Sequence, residues 1–400
     1  IGGGGVVNTI KSGIIDASHV TNANDMTVIM LSALLSAALW INIATWLNAP
    51  VSTTHSIVGG IMGAGAAVAG TQAVNWSLLG GIIFSWVASP VLGAAIAIGL
   101  LWFIKETIIY RVDKIAGACR WVPLLLSLMT GAFAAYLLLI LAATVEPFKV
   151  WHAITIGLGL GLASHLYYRR IVAVTANRLD NRNQSLKVLF RLPLVFSAAL
   201  LSFAHGANDV SNAIGPLAAI VEASGIQTFA RNADAPFWVT AIGALGISVG
   251  LILFGPRLIR IVGAQITRLN PVRGYCVATS TAITVIVASV LGMPVSTTHI
   301  AVGSVFGVGL FREWYTANSA RRRAFIEHKS ALGDSAALTT IAKASQVDGD
   351  VEEDGTENRR YRYLVRRSYL SSILAAWVIT VPASAVMAAT LAILLSHFNL

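Results

Sequence analysis

The stretch Pro50-Val51-Ser52-Thr53-Thr54-His55 occurs a second time in this chain, as Pro294-Val295-Ser296-Thr297-Thr298-His299. The likeness extends over ten residues, PVSTTHSIVG at 50–59 and PVSTTHIAVG at 294–303, and eight of the ten positions are identical. An apolar composition by itself does not repeat a proline, three hydroxyls and a histidine in one order. We therefore predict two copies of one structural unit, each built around this PVSTTH motif.

Composition indicates where both copies lie. Of the 400 residues, 56% are hydrophobic and 12% are charged, whereas a soluble domain carries about 25% charged residues. Apolar runs of about 20 residues, the length of a membrane-crossing helix, recur along the chain and lack the alternation of outer-membrane β-strands. We predict an all-α polytopic membrane protein, surrounded by lipid, in the inner or plasma membrane of the cell.

The net charge of +10 does not indicate a nucleic-acid partner. Lys and Arg are concentrated in loops between apolar runs, which is the distribution that the positive-inside rule produces. The predicted spans are about 26–47, 50–70, 77–104, 121–144, 151–168, 192–221, 237–255, 274–292, 294–310 and 369–396. The basic loops are 105–120, 169–191, 256–273 and 311–368, and the last is expected to be partly disordered.

Loop charge also predicts the orientation of the two copies. If all four basic loops are cytoplasmic, the helix after the first motif runs outward and the helix after the second runs inward. Opposite orientations are the signature of inverted-repeat secondary transporters, with broken or re-entrant helices around a midplane site. The predicted divisions are a first repeat with connecting spans, a second inverted repeat, a cytoplasmic loop and a final helix, at 1–187, 188–310, 311–368 and 369–400.

Asp209 is an acidic residue inside a predicted span, and the other spans contain none. Carboxylates at membrane depth are costly and are usually kept for ions, protons or substrates. Asn208 and Asn212 flank it, and Gly206 and Pro216 allow the helix to break nearby and expose backbone carbonyls. Carboxylate and amide oxygens are hard ligands suited to Na⁺. We predict a cation site at Asp209 and Asn212; the alternative is a structural hydrogen bond between helices.

Each PVSTTH motif is expected to begin a helix, because proline favours the first turn and a following Ser or Thr caps free N–H groups. Free N–H groups, the positive end of the helix dipole and several hydroxyls bind an oxyanion without a formal charge. Two such helix starts in inverted repeats can converge on one anion. The predicted substrate-binding residues are Ser52, Thr53, Thr54, Ser296, Thr297, Thr298 and Asn208, the last being able to serve either ion.

His55 and His299 each follow a motif serine by three residues, so an intramembrane Ser/His hydrolase is an alternative. No Gly-x-Ser-x-Gly elbow accompanies either serine. We interpret both histidines, together with His165 and His205, as side chains that hydrogen-bond a neighbouring helix.

The absence of Lys and Arg from the predicted spans predicts that an anion and a cation are transported together. No Lys or Arg lies within the apolar spans, so a buried anion would have no fixed cationic partner. An unpaired buried anion is very unstable. Cations that enter with the anion and are held by Asp209 would neutralise it. We therefore expect coupled transport of an anion and a cation, with no cofactor besides that cation.

The segment Gly206-Ala207-Asn208-Asp209-Val210-Ser211-Asn212-Ala213, together with both PVSTTH motifs, closely resembles the inorganic phosphate transporter (PiT) family, which includes related sulfate permeases. The resemblance covers essentially the whole chain. It implies symport of phosphate with Na⁺ or H⁺ by alternating access, with the ligands of both ions in these three motifs. Sulfate symport and a passive anion channel are the alternatives, and a homodimer is left open.

The family pattern has two Gly-Ala-Asn-Asp motifs, and this chain has one. Gly206 precedes Pro294 by 88 residues, and the same spacing before Pro50 ends about 38 residues ahead of Ile1. The resemblance therefore implies an N-terminal truncation, with at least one further span and further cation ligands before Ile1.

Overall fold

A computed structural model describes residues 3–397 apart from 21, 48, 50, 143–148, 226–234, 266–269 and 332–367. The described chain is helical, and its β-structure is a bridge between Ile15 and Val74. The α-helices in chain order are α1 Gly4–Asn8, α2 Ala23–Trp46, α3 Thr53–Ala69, α4 Trp76–Ile104, α5 Lys114–Ala142, α6 Val150–Ala176, α7 Asn183–Leu189, α8 Arg191–Asp209, α9 Ser211–Ala223, α10 Phe237–Gln265, α11 Pro271–Val290, α12 Thr297–Asn318, α13 Ala320–Ala331 and α14 Ser368–His397. Two π-helical turns, Thr9–Gly13 and Lys105–Ile109, extend α1 and α4.

Six helices of the described residues are long and apolar enough to cross a membrane. A seventh span results if α7, α8 and α9 are counted as one, with a bend of 45°. Each predicted span coincides with a helix or a pair of helices, because long apolar runs are the strongest signal that a sequence carries. Helices α5, α6 and α10 extend 7 to 10 residues into the predicted basic loops, since α5 begins at Lys114, α6 ends at Ala176 and α10 ends at Gln265. The protein is therefore an all-helical integral membrane protein.

The course of α4 shows how the two motif helices are arranged. Trp76 begins α4 shortly after α3 ends, and α4 spans about 43 Å at 1.5 Å per residue. Within its first half, Nε1 of Trp86 donates to the carbonyl of Pro294, 2.9 Å away, at the second motif. Just beyond its far end, Glu106 accepts from the hydroxyl of Tyr315, 2.6 Å away, near the end of α12. Thus α3 and α12 begin at one level and extend towards opposite ends of α4.

Small residues let the motif helices approach their neighbours closely. α3 packs on α14 and α12 packs on α4, so each motif helix lies against the long helix that follows the other one. Gly59 and Gly63 of α3 face the backbone of α14, and Gly303 and Gly307 of α12 face the backbone of α4. Close backbone contact of this kind is the usual way in which membrane helices associate.

We expect Gly63→Ala to destabilise the protein. The added Cβ would collide with the backbone carbonyl of Ala385 in α14, an atom that cannot rotate away. Overpacking costs about 1–3 kcal/mol, which outweighs the gain of about 1 kcal/mol in helix propensity. Thermal unfolding of the purified protein should show a lower Tm. Gly99→Ala is the matched control, since nothing lies within 4 Å of its added Cβ; equal Tm values for the two variants would contradict the packing.

The basic loops meet at one end of the molecule. Asn181 after α6 donates to the carbonyl of Val112 and accepts from the backbone N–H of Lys114, at 2.8 and 2.9 Å. Nε of Arg321 in α13 lies 3.2 Å from Glu106 after α4. These contacts place parts of three predicted cytoplasmic loops side by side, as the positive-inside rule predicts.

The long polar loop begins later than the sequence suggests. The second motif helix was predicted to end near 310, but α12 continues to Asn318 and α13 follows it to Ala331. Apolar residues sustain this extension, since Phe311 and Tyr315 are buried at 8% and 2% exposure among charged neighbours. Expected disorder in the remainder of the loop concerns residues 332–367, which lie outside the described chain.

Candidate functional site

Both PVSTTH motifs begin helices with a serine cap. Oγ of Ser52 accepts from the backbone N–H of His55 at 3.2 Å, and Oγ of Ser296 accepts from that of His299 at 3.3 Å. Both serines have extended backbones, the ordinary conformation of an N-cap residue. Threonine is consequently the first helical residue in each copy, and its hydroxyl lies at the positive end of the helix dipole.

Asp209 lies where the two helix starts meet. Oγ1 of Thr297 is 3.3 and 3.4 Å from its two carboxylate oxygens, and Oγ1 of Thr53 is 3.5 Å from Oδ2. Nδ2 of Asn208 donates to Oδ1 at 3.0 Å. The side chain of Asp209 is 14% exposed. One carboxylate from α8 therefore joins α3 and α12, and the N-terminal ends of both helices stabilise its charge.

Two asparagines donate their amide N–H groups to the side chains and backbone around this carboxylate. Nδ2 of Asn212 lies 3.3 Å from Oγ1 of Thr53 and 3.2 Å from Oγ1 of Thr54. The carbonyl of Val295 accepts from Thr54 and from Asn208. The amide nitrogen of each asparagine is therefore engaged as a donor. The amide oxygens, Oδ1 of Asn208 and Oδ1 of Asn212, are buried and accept no hydrogen bond. Buried polar atoms are almost always satisfied, so these two acceptors mark a place suited to a cation.

The helix that carries Asp209 is less broken than the sequence suggests. Its interruption is limited to Val210, whose φ of −61° and ψ of −28° remain those of a right-handed helix. Pro216 lies inside α9 and supplies no N–H to the carbonyl of Asn212, four residues earlier. The predicted exposure of backbone carbonyls is thus reduced to a local loss of helical hydrogen bonds.

The two motif histidines and two tryptophans form a column of four rings near the N-terminal ends of α3 and α12. The ring of His55 lies 3.8 Å from that of Trp86, and the ring of His299 lies 3.5 Å from that of Trp377. The two imidazoles meet edge to face at 4.4 Å. The nitrogens of both rings lack a partner at ordinary hydrogen-bond distance and angle, although the backbone of Trp377 in α14 is near enough to interact with His55.

This column corrects one interpretation and weakens another. The predicted hydrogen bond to a neighbouring helix is not formed by His299, whose ring stacks on Trp377, and for His55 the backbone of Trp377 in α14 is the group that approaches as a partner. A Ser/His pair is not formed either, since Ser52 and Ser296 use their hydroxyl oxygens to accept backbone N–H groups.

His205 is a site residue that the sequence interpretation missed. Its Nε2 lies 3.3 Å from Oδ2 of Asp209, and the ring is 42% exposed. The signal was available, because residues four apart share one face of a helix. His205 thus contacts its own helix and not a neighbouring one. Conversely, no described contact brings the half-buried Thr298 to Asp209.

Comparisons with known proteins identify the family of this chain. The model of the phosphate transporter family, PHO4, matches residues 1–388. This chain belongs to the phosphate transporter family. A Helicobacter pylori (strain J99) protein named as a phosphate permease is 42% identical over 431 residues, which are 100% of this chain and 81% of the relative. A Pyrococcus abyssi protein named as a phosphate permease is 38% identical over 314 residues, 77% of this chain and 75% of the relative.

A solved structure extends the likeness to the fold. The protein titled "The sodium-dependent phosphate transporter" superposes with a TM-score of 0.80 at 29% sequence identity. The match covers 98% of this chain and 85% of that one. Members of the phosphate transporter family are transporters and not enzymes, so the hydrolase alternative is discarded.

Proposed function

We propose that this member of the phosphate transporter family is a secondary active symporter. It carries inorganic phosphate together with a cation, Na⁺ or H⁺, by alternating access between two inverted repeats. The observation that carries the proposal is Asp209, a carboxylate held between two helix N-termini that point away from each other, beside two orphaned amide oxygens. In a transporter with such repeats, a midplane site of this kind is the point that each side of the membrane reaches in turn.

The anion site in this proposal consists of the two helix starts. Thr53 and Thr297 supply hydroxyl donors, and the first turns of α3 and α12 supply the positive ends of their dipoles. Thr54 and the two capping serines support the same turns. Thr298 belongs to the proposed set by its position in the motif.

Coupling follows from competition for the same donors. A threonine hydroxyl carries one hydrogen and can donate it either to Asp209 or to a phosphate oxygen. When phosphate takes the hydroxyls of Thr53 and Thr297, the carboxylate loses two of its hydrogen-bond donors and gains an adjacent negative charge. A cation on Asp209 and the amide oxygens of Asn208 and Asn212 restores neutrality. Phosphate and cation therefore bind more tightly together than either does alone.

The donor and acceptor pattern favours phosphate over sulfate. Hydrogenphosphate carries a proton that it can donate, whereas sulfate at neutral pH only accepts. Asp209 is an acceptor that lies between the two helix starts. A carboxylate has two oxygens, so one can accept the proton of hydrogenphosphate while the other binds the cation; with sulfate the first oxygen would lack a donor, and unpaired buried polar groups discriminate strongly between such ligands.

Uptake into proteoliposomes containing the full-length protein tests the proposal. We expect labelled phosphate to accumulate against its gradient when an inward Na⁺ or H⁺ gradient is imposed, and excess sulfate to compete weakly. The cation that drives accumulation identifies the coupling ion. Uptake that is indifferent to both gradients would refute coupling, and uptake that only runs downhill would indicate an anion channel.

The remaining assignments follow from the same proposal. We place the protein in the inner or plasma membrane of the cell, with the basic end in the cytoplasm. Lipid covers the exposed apolar faces of α6 and α10, and a homodimer through such faces is the alternative. The proposed divisions are the first repeat with connecting spans, the second repeat, the cytoplasmic loop and the final helix, at 1–187, 188–310, 311–368 and 369–400.

A further inference from the structure

Positive charge accumulates at the end of the molecule far from Asp209. Lys105 lies in the π-helical turn after α4, and its side chain is 7% exposed. Its Nζ lies 4.0 Å from the ring centre of Tyr315 and 5.2 Å from that of Phe311. These aromatic faces attract the ammonium but bring no negative charge.

Contacts bring arginines from other helices towards this lysine. Arg312 follows Phe311, whose ring the lysine approaches. Nη1 of Arg322 donates to the carbonyl of Thr316, next to Tyr315, at 3.1 Å. Arg312, Arg322 and Arg273 come from α12, α13 and the start of α11, and each exerts electrostatic repulsion on Lys105. Arg273 and Arg312 also repel each other. All three guanidinium side chains are half-buried, so solvent screens their repulsion only in part and a ligand can still reach them.

The carboxylates in contact with this group do not balance it. Glu106 already accepts from the hydroxyl of Tyr315 at 2.6 Å and lies 3.2 Å from Nε of Arg321. The carboxylate of Glu313 attracts the guanidinium of Arg312 electrostatically. Five cationic side chains, with Arg321 included, thus have two carboxylates among the described residues, and the excess charge is partly desolvated. Charges in such surroundings require compensation.

We propose that Lys105, Arg273, Arg312 and Arg322 bind a phosphoryl anion at this end of the protein. The anion is either the headgroup of an acidic phospholipid or free phosphate. Guanidinium groups present paired N–H donors that match phosphate oxygens, and basic pockets between membrane helices on the cytoplasmic side suit lipid phosphates. Arg312 is 15 residues from Thr297 along α12, about 22 Å at 1.5 Å per residue, so this site is separate from the one at Asp209.

The full-length protein in lipid nanodiscs provides the test, with thermal unfolding as the readout. One arm compares nanodiscs of phosphatidylcholine with nanodiscs that also contain phosphatidylglycerol. The other adds inorganic phosphate to the phosphatidylcholine nanodiscs. We expect at least one anion source to raise the Tm of the wild type by several degrees, and the arm that does so identifies the source. The double variant Arg273→Gln, Arg312→Gln should lose this increase, and Arg182→Gln, an exposed arginine paired with Asp180, should keep it.

The variants also separate binding from a structural role. Without an anion, the double variant should be about as stable as the wild type, because the removed repulsion offsets the lost hydrogen bond from Nε of Arg273 to Oδ1 of Asn270. A lower Tm in the absence of anion would show that the arginines stabilise the fold directly, and would overturn the proposal. If phosphate raises the Tm of the wild type and of the double variant equally, the phosphate binds at the Asp209 site. That result, combined with no effect of phosphatidylglycerol on the Tm, would also overturn the proposal. If the double variant cannot be purified, Arg322→Gln provides the same comparison.

Discussion

Replacing Asp209 by Asn is expected to abolish cation-driven phosphate accumulation while leaving the protein folded. The amide keeps an oxygen that can accept from Thr297 and Asn208, but it removes the charge that holds the cation. Loss of the negative charge weakens cation affinity by at least about 10- to 100-fold, the magnitude of one interaction with a charged group, and a cation held so weakly cannot drive accumulation. Stability should not fall, because a neutral side chain costs less to bury at membrane depth than a carboxylate. Proteoliposome uptake under a cation gradient measures the first effect, and thermal unfolding measures the second.

The control for this variant is Asp180→Asn. Asp180 is 76% exposed and pairs with Arg182 in the loop after α6, so its charge is screened by water. Uptake should be unchanged. If Asp209→Asn accumulated phosphate as the wild type does, the carboxylate would have only a structural role and the proposed cation site would be wrong.

Thr297→Val is expected to weaken phosphate binding with little effect on folding. Valine keeps the shape of threonine but removes the hydroxyl that lies 3.3 and 3.4 Å from the two oxygens of Asp209. In the proposed mechanism this hydroxyl turns to phosphate, and a hydrogen bond to a charged group contributes about 1.5–3 kcal/mol, or about 10- to 100-fold in affinity. The apparent KM for phosphate in proteoliposomes should rise accordingly.

Three further variants make this result specific. Thr284→Val removes a buried hydroxyl that donates to the carbonyl of Ser280 in its own helix, so it should leave KM unchanged. Thr53→Val should resemble Thr297→Val, and the double variant should deviate from additivity because both hydroxyls share Asp209. An unchanged KM in all three motif variants would exclude these threonines from the anion site.

The helices could be predicted largely from the sequence, and the exceptions have physical causes. Helices such as α2 and α11 coincide with apolar runs, because lipid requires each run to satisfy its own backbone hydrogen bonds. The end of α12 was predicted too early because the charged residues Arg312 and Glu313 interrupt the apolar run. Their helix continues since Phe311 and Tyr315 cover the buried Lys105, a contact between distant parts of the chain.

The residues of the candidate site could be predicted from the sequence better than the contacts between them. Asp209 and the motif threonines could be identified because carboxylates and repeated hydroxyls are unusual in apolar spans. His205 was missed although helical spacing places it next to Asp209. The environment of His55 and His299 could not be foreseen, since Trp86 and Trp377 reach them from helices that are far away in sequence.

The sequence by itself determined that this is a helical membrane protein with two copies of one motif and a carboxylate at membrane depth. Local composition carries those facts, because lipid selects apolar helices and makes every buried polar residue costly. Only the tertiary structure decided that Thr53 and Thr297 share Asp209, that two amide oxygens remain unsatisfied, and that the motif helices diverge along α4. These features depend on which helices pack together, and close backbone contacts such as that of Gly63 with α14 set that packing.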